Sequence, residues 1–312
     1  MPSDHFQHRH EDGSEHQVYR WLPEAPPIAV LQIVHGMAEH AGRYSALAEA
    51  MNARGVAVYA QDLPGHGITG QRSGQPGHFA DRKGWEHALA VIESVREAAA
   101  AAHAGAPEFL LGHSMGSFLA QYLLCGGGRP RRGVVLSATT QDMGPMRPVG
   151  ALLMRMLAAL RGPTTPSALG EALSFKAFNK AFAPNRTDFD WLSRDAASVD
   201  AYIADPHCGH RCTLGLWRDL LDAGAGLDDP ERLARVPADT AILLIAGSRD
   251  PVSQGEAGPR ALAAAYRAAG VRQVDERYFD GARHELLHET CRDEVIALLC
   301  DWVGNLSDTH RS

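Results

Sequence analysis

Long apolar runs are missing from this chain: none in its 312 residues approaches the length of a membrane span, so no transmembrane helix is expected. Basic residues are in the minority, with 30 Lys and Arg against 37 Asp and Glu. A net charge of −7 gives no electrostatic footprint for nucleic acid or an anionic membrane, although it leaves room for transient contact with a lipid surface. Cysteines number only five, at 125, 208, 212, 291 and 300, and such an odd, scattered set argues against a disulfide framework. The opening stretch MPSDHFQHRHEDGSEH is polar and lacks the apolar core of an export signal, so a cytoplasmic protein is expected.

What is present is an alternation. Segments that read as strands (15–22, 28–36, 55–67, 108–111, 133–138, 240–250 and 274–279) interleave with segments that read as helices (84–103, 115–125, 258–270 and 291–303). Glycines 126–128 close the second helix. This rhythm predicts an α/β fold, a mostly parallel central sheet flanked by helices on both faces. It stops between about 140 and 236, where GALLMRMLAALR, SRDAASVDAYIAD and LGLWRDLLDAG are helix-like and no stretch reads as a strand. An all-helical insertion after a strand's carboxyl end would lie over the active-site crevice. The expected organisation is a core of residues 1–139 and 237–312 with an inserted helical cap, 140–236.

The chemistry is signalled by LLGHSMGS at 110–117, which sets Ser114 between Gly112 and Gly116. G-x-S-x-G with a strand before it and a helix after it predicts a sharp turn that exposes the serine hydroxyl. A serine needs a base, and the base needs a carboxylate to set its tautomer. On such a sheet these partners follow in the order acid, then histidine, each at the end of a late strand. Asp250 closes AILLIAGSRD and is the predicted acid. His284 follows the last strand closely and is the predicted base; His288, one helical turn further on, is its rival. Two backbone N–H groups are needed for the oxyanion. Met115, directly after the nucleophile, and Met37, after the His35-Gly36 strand end, are the predicted donors.

Five motifs occur in order: HGMAEHAGRY (35–44), DLPGHG (62–67), GHSMGS (112–117), GSRDPVS (247–253) and GARHELLHE (281–289). Together they resemble the monoacylglycerol lipase and lysophospholipase-like branch of the α/β-hydrolases, across about residues 15–305. That resemblance implies an α/β-hydrolase fold with a cap and a serine esterase or lipase that works through an acyl-enzyme on a small-molecule ester or lipid, without a cofactor. It carries the triad roles to Ser114, Asp250 and His284, and the oxyanion roles to Met37 and Met115.

Other readings make distinct demands. A proline-type aminopeptidase would need cap carboxylates to hold an amino group, yet Asp188, Asp190, Asp195 and Asp200 read as helix caps and solvated faces. A dehalogenase would need an Asp nucleophile. A binding module that had lost catalysis would be expected to lack a triad member. In HCGHRC (207–212), His207, Cys208, His210 and Cys212 offer metal-type ligands, but no second ligand pair follows at a usual distance, so a turn and no metal are expected. His35, His40, His66 and His113 read as structural hydrogen-bonders. In the segment 149–160, Leu152, Leu153, Met156, Leu157 and Leu160 predict an adaptable wall for an acyl chain, with a neutral head group preferred to a phosphate-bearing one.

Overall fold

The structure is a computed structural model that describes residues 4–126 and 131–308. Eight strands form one sheet: β1 (Asp4–Arg9), β2 (Glu15–Trp21), β3 (Ala29–Val34), β4 (Val56–Gln61), β5 (Glu108–His113), β6 (Gly133–Ser137), β7 (Ala241–Gly247) and β8 (Val274–Phe279). Their order is β1-β2-β4-β3-β5-β6-β7-β8; β2 runs antiparallel to β1 and β4, and all strands from β4 to β8 are mutually parallel. The helices are α1 (Ser45–Ala53), α2 (Gly67–Ser73), α3 (Gly84–Ala102), α4 (Met115–Leu124), α5 (Arg147–Arg161), α6 (Ala168–Leu173), α7 (Phe175–Asn179), α8 (Ala196–Ala204), α9 (Leu214–Ala223), α10 (Pro230–Leu233), α11 (Ala257–Ala268) and α12 (Arg292–Asp308). Of the glycines expected to end α4, Gly127 and Gly128 lie outside the described residues.

The central strands are buried at every position, and mostly apolar, because both of their faces are covered. Leu110, Val134, Leu136, Ile242 and Leu244 pack with Ile92 of α3, Leu119 of α4 and Tyr266 of α11. The alternate residues, Phe109, Leu111, Val135, Leu243 and Ile245, pack with Met51 of α1 and with Val295 and Leu299 of α12. The polar leader of the sequence is structured: Asp4–Arg9 pairs with β2 in a hairpin and forms the sheet edge. None of its six residues is fully buried, so it carries no hydrophobic pattern to read, and its charges suit an exposed edge.

Between β6 and β7 lie α5 to α10, with no strand among the described residues. Helix α9 buries Leu214, Leu216, Trp217 and Leu220 and packs on both α5 and α3. Helix α5 does not place its bulky residues as the sequence predicts. It buries Ala151, Met154 and Ala158, and leaves Leu152, Met156 and Leu160 at 57%, 53% and 79% exposure. Ala151 and Ala158 face inward with Met154; Leu153 and Leu157 are half-buried, and Leu152, Met156 and Leu160 occupy the outer face. No helix among the described residues is long and apolar enough to cross a membrane.

Candidate active site

Strand β5 ends at His113 and α4 begins at Met115, so the chain reverses at Ser114, whose backbone has φ 52° and ψ −121°. A non-glycine residue at positive φ is strained and needs support from its surroundings. Here the Ser114 N–H donates to Ser137 O at 2.9 Å, and the Ser114 carbonyl accepts from Ser117 N at 2.8 Å and Ser117 Oγ at 2.6 Å. Both flanking glycines are sterically required. A Cβ on Gly112 would sit 2.4 Å from Gly116 O, and one on Gly116 would sit 2.2 Å from Val34 O.

Asp250 follows β7 by three residues and is 1% exposed. Its carboxylate accepts from Val252 N at 2.9 Å, Ser253 Oγ at 2.7 Å and His284 Nδ1 at 2.9 Å. His284 lies on the loop after β8 and is 3% exposed. Donating Nδ1–H to Asp250 leaves Nε2 of His284 with its lone pair, the state a general base requires. Burial opposes protonation of His284, but the Asp250 charge and hydrogen bond outweigh it and raise the pKa above the ordinary histidine value. Burial raises the Asp250 pKa and His284 lowers it more, for a net fall.

The ring of His113, next to Ser114 in the chain, stands 4.8 Å from the ring of His284. Among the described residues the Ser114 hydroxyl makes no hydrogen bond to His284; such contacts are often long before substrate arrives. The rival His288 is half-buried beside Glu285 and Arg43, with no hydrogen bond to Asp250 among the described residues, and desolvation pushes its pKa down to about 4.

The loop after β3 lies against the elbow. A Cβ on Gly36 would come within 3.2 Å of Ser114 Cβ. Neither Met37 N–H nor Met115 N–H donates to a backbone carbonyl among the described residues. The next residue, Ala38, has φ 56°, and its carbonyl accepts from Tyr202 Oη at 2.8 Å and from Gly209 N at 2.9 Å, both within the helical insertion. His35 accepts from Leu63 N at 2.9 Å and is held neutral by burial, with a pKa of about 4, which fits its structural reading.

Three charged groups beneath this loop escape the sequence reading. Buried Arg43 bridges Glu39 at 2.8 Å and both carboxylate oxygens of Glu285 at 2.7 Å. Glu39 also accepts Gly36 N–H at 2.6 Å. One arginine thus ties the loop after β3 to the residue following His284. All three lie inside quoted motifs, which is the one signal that could have found them. Trp191 is also missed: its ring lies 4.8 Å from His284. From it an aromatic series runs through Phe175 at 5.4 Å to Trp217, a further 6.1 Å on. It ends in a cleft of about 420 Å³, including its open mouth, also lined by Phe189, Lys176 and Arg211. Lys176 and Arg211 both pair with Glu171, at 3.9 and 2.7 Å. Of the four acids of the helical insertion, Asp190 and Asp195 hold backbone N–H groups and Asp200 pairs with Arg186; Asp188 lines the cleft.

A family model described as serine aminopeptidase, S33, matches residues 25–291. The monoacylglycerol lipase of Mycolicibacterium smegmatis is 30% identical over 287 residues, covering 91% of this chain and 90% of that one. The human monoglyceride lipase is 30% identical over 236 residues, covering 74% and 68%. In three dimensions the chain is similar to a thermostable carboxyl esterase from Bacillus coagulans, with a TM-score of 0.90, 24% identity and coverage of 98% and 99%.

Proposed function

This chain belongs to the serine aminopeptidase S33 family of α/β-hydrolases, in its monoacylglycerol lipase branch, and from that membership we propose a catalytic assignment for its site. The chain is a carboxylic ester hydrolase. Ser114 is the nucleophile, His284 the general base and then acid, and Asp250 the residue that orients the imidazole. Ser114 Oγ attacks the acyl carbonyl while His284 Nε2 takes its proton. The N–H groups of Met37 and Met115 stabilise the oxyanion. The tetrahedral intermediate collapses as His284 protonates the leaving alcohol, and a water activated by the same imidazole releases the acid. The observation that carries this assignment is the buried 2.9 Å Asp250–His284 hydrogen bond beside the strained turn at Ser114.

Residues 140–236 act as the cap, and the substrate is a monoacylglycerol. The acyl chain runs along Trp191, Phe175 and Trp217 into the cleft, replacing the wall that the sequence predicts on α5. Glu171 and Asp188 balance Lys176 and Arg211 in the lining, so the cleft presents no net charge to an acyl chain. Leu152, Met156 and Leu160 face outward, as suits transient contact with a lipid surface. The test is kcat/KM across monoacylglycerols, matching lysophospholipids and short aryl esters. Each carbon buried along the aromatic series contributes up to ~0.8 kcal/mol, or about fourfold in rate. Values that fall steadily from acetate upward, or that favour the lysophospholipid, contradict the substrate assignment.

A further inference from the structure

His66, His210 and Cys212 come together although the sequence separates them. His66 opens α2 on the core side, while His210 and Cys212 belong to the connection between α8 and α9. Each imidazole has Nδ1 beside a backbone carbonyl: His66 at 2.8 Å from Pro64 O, and His210 at 3.3 Å from His207 O. Donation from Nδ1 fixes the tautomer and leaves the lone pair on Nε2. Both Nε2 atoms are buried without a hydrogen-bond partner, and His66 is fully buried. The two rings stand edge to face at 5.1 Å, and one ligand atom from each of the three residues falls within 4.8 Å of the others.

An unpaired polar atom inside a protein carries a desolvation penalty, and two of them in one cluster with a thiol call for a shared partner. The geometry points to a metal site in which His66 Nε2, His210 Nε2 and Cys212 Sγ bind a borderline-soft divalent ion of the Zn²⁺ type. Two imidazoles and a thiolate are a ligand set that such ions favour, and each imidazole already has the backbone partner that orients metal-binding histidines. Ligand atoms around a tetrahedral zinc stand roughly 3.5 Å apart, so small side-chain rotations close the site. His210 and Cys212 also line the cleft, which gives the ion and a water as fourth ligand their way in. On binding, the Cys212 thiol loses its proton to solvent and the sulfur–metal bond replaces the S–H bond. The ion would staple the helical insertion to the core beside the loop of Met37 and Ala38.

Two other clusters are less suited. In His40, Asp205 and Cys208, both His40 nitrogens are engaged, Nε2 with Asp205 at 2.9 Å and Nδ1 with Gly42 N at 3.2 Å. In His10, Asp12 and His87, the carboxylate already bridges the two rings at 3.1 and 3.2 Å.

The test is a Co²⁺ titration of chelator-treated full-length protein, followed by optical absorption. About one Co²⁺ should bind per chain, with a thiolate-to-cobalt charge-transfer band, intense tetrahedral ligand-field bands and displacement by Zn²⁺. Cys212→Ser should abolish the charge-transfer band, and Cys208→Ser should leave it intact. His210→Gln, at a loop position that tolerates exchange better than buried His66, should weaken binding at least about tenfold. Zn²⁺ should raise the melting temperature of the unmodified protein by a few degrees and that of Cys212→Ser by less. Absence of the charge-transfer band, its survival in Cys212→Ser, its loss in Cys208→Ser, or unweakened binding by His210→Gln would each overturn the site.

Discussion

The turn at Ser114 and helix α5 are both rich in apolar and small residues, yet their sequences constrain orientation very differently. At the turn every position has one permissible environment: Gly112 faces the backbone of Gly116, Gly116 faces the end of β3, and β5 is buried on both sides. Nothing can rotate without a collision. Helix α5 carries apolar residues around its circumference, so the pattern alone does not say which face turns inward. Close approach to α9 decided it in favour of Ala151, Met154 and Ala158. Where packing is confined on all sides, sequence specifies geometry; where one side is open, the neighbour does.

The contrast can be broken first at the confined end. His284→Ala should lower kcat/KM by at least about 10³, whereas His288→Ala should cost less than about tenfold. Equal losses, or the reverse order, would misplace the base. Gly116→Ala puts a Cβ against the Val34 and His35 carbonyls, with no flexible side chain to give way. It should destabilise the fold by at least about 2 kcal/mol in denaturant titration; a neutral result would mean that the turn relaxes.

At the open end the effects should be smaller and selective. Replacing Leu152, Met156 and Leu160 together by Ser should leave hydrolysis of a water-soluble short ester within about twofold. On monoacylglycerol presented in vesicles the rate should fall several-fold, through lost apolar contact with the surface. Equal loss on both substrates would place these side chains in the acyl path after all. The smallest effect is on pH dependence. Catalysis requires neutral His284, whose pKa Asp250 raises, so kcat/KM should climb with pH through a midpoint above ~6.5. In Asp250→Asn the residual activity should show that midpoint moved down; an unmoved or rising midpoint would separate the limb from this pair.

Legibility followed the same division. The turn at Ser114 and the pairing of Asp250 with His284 were legible because each of these residues follows a strand-forming segment at a sheet end. The strand β1 was not legible, since an exposed edge needs no apolar alternation. The Glu39–Arg43–Glu285 bridge was not legible either. Charged residues usually read as surface, and the bridge joins positions 242 residues apart. Trp191 gave no signal beyond being aromatic, because its partner His284 comes from another part of the chain.

The most direct measurement is labelling of the intact protein with a fluorophosphonate, read by mass spectrometry. Full-length protein should take up a single adduct, mapped to the peptide carrying Ser114. Labelling should vanish in Ser114→Ala, which should keep the circular dichroism of the parent and lose esterase activity by at least about 10³. An adduct on another residue, or Ser114→Ala keeping more than about a tenth of the parent activity, would contradict the role given to Ser114.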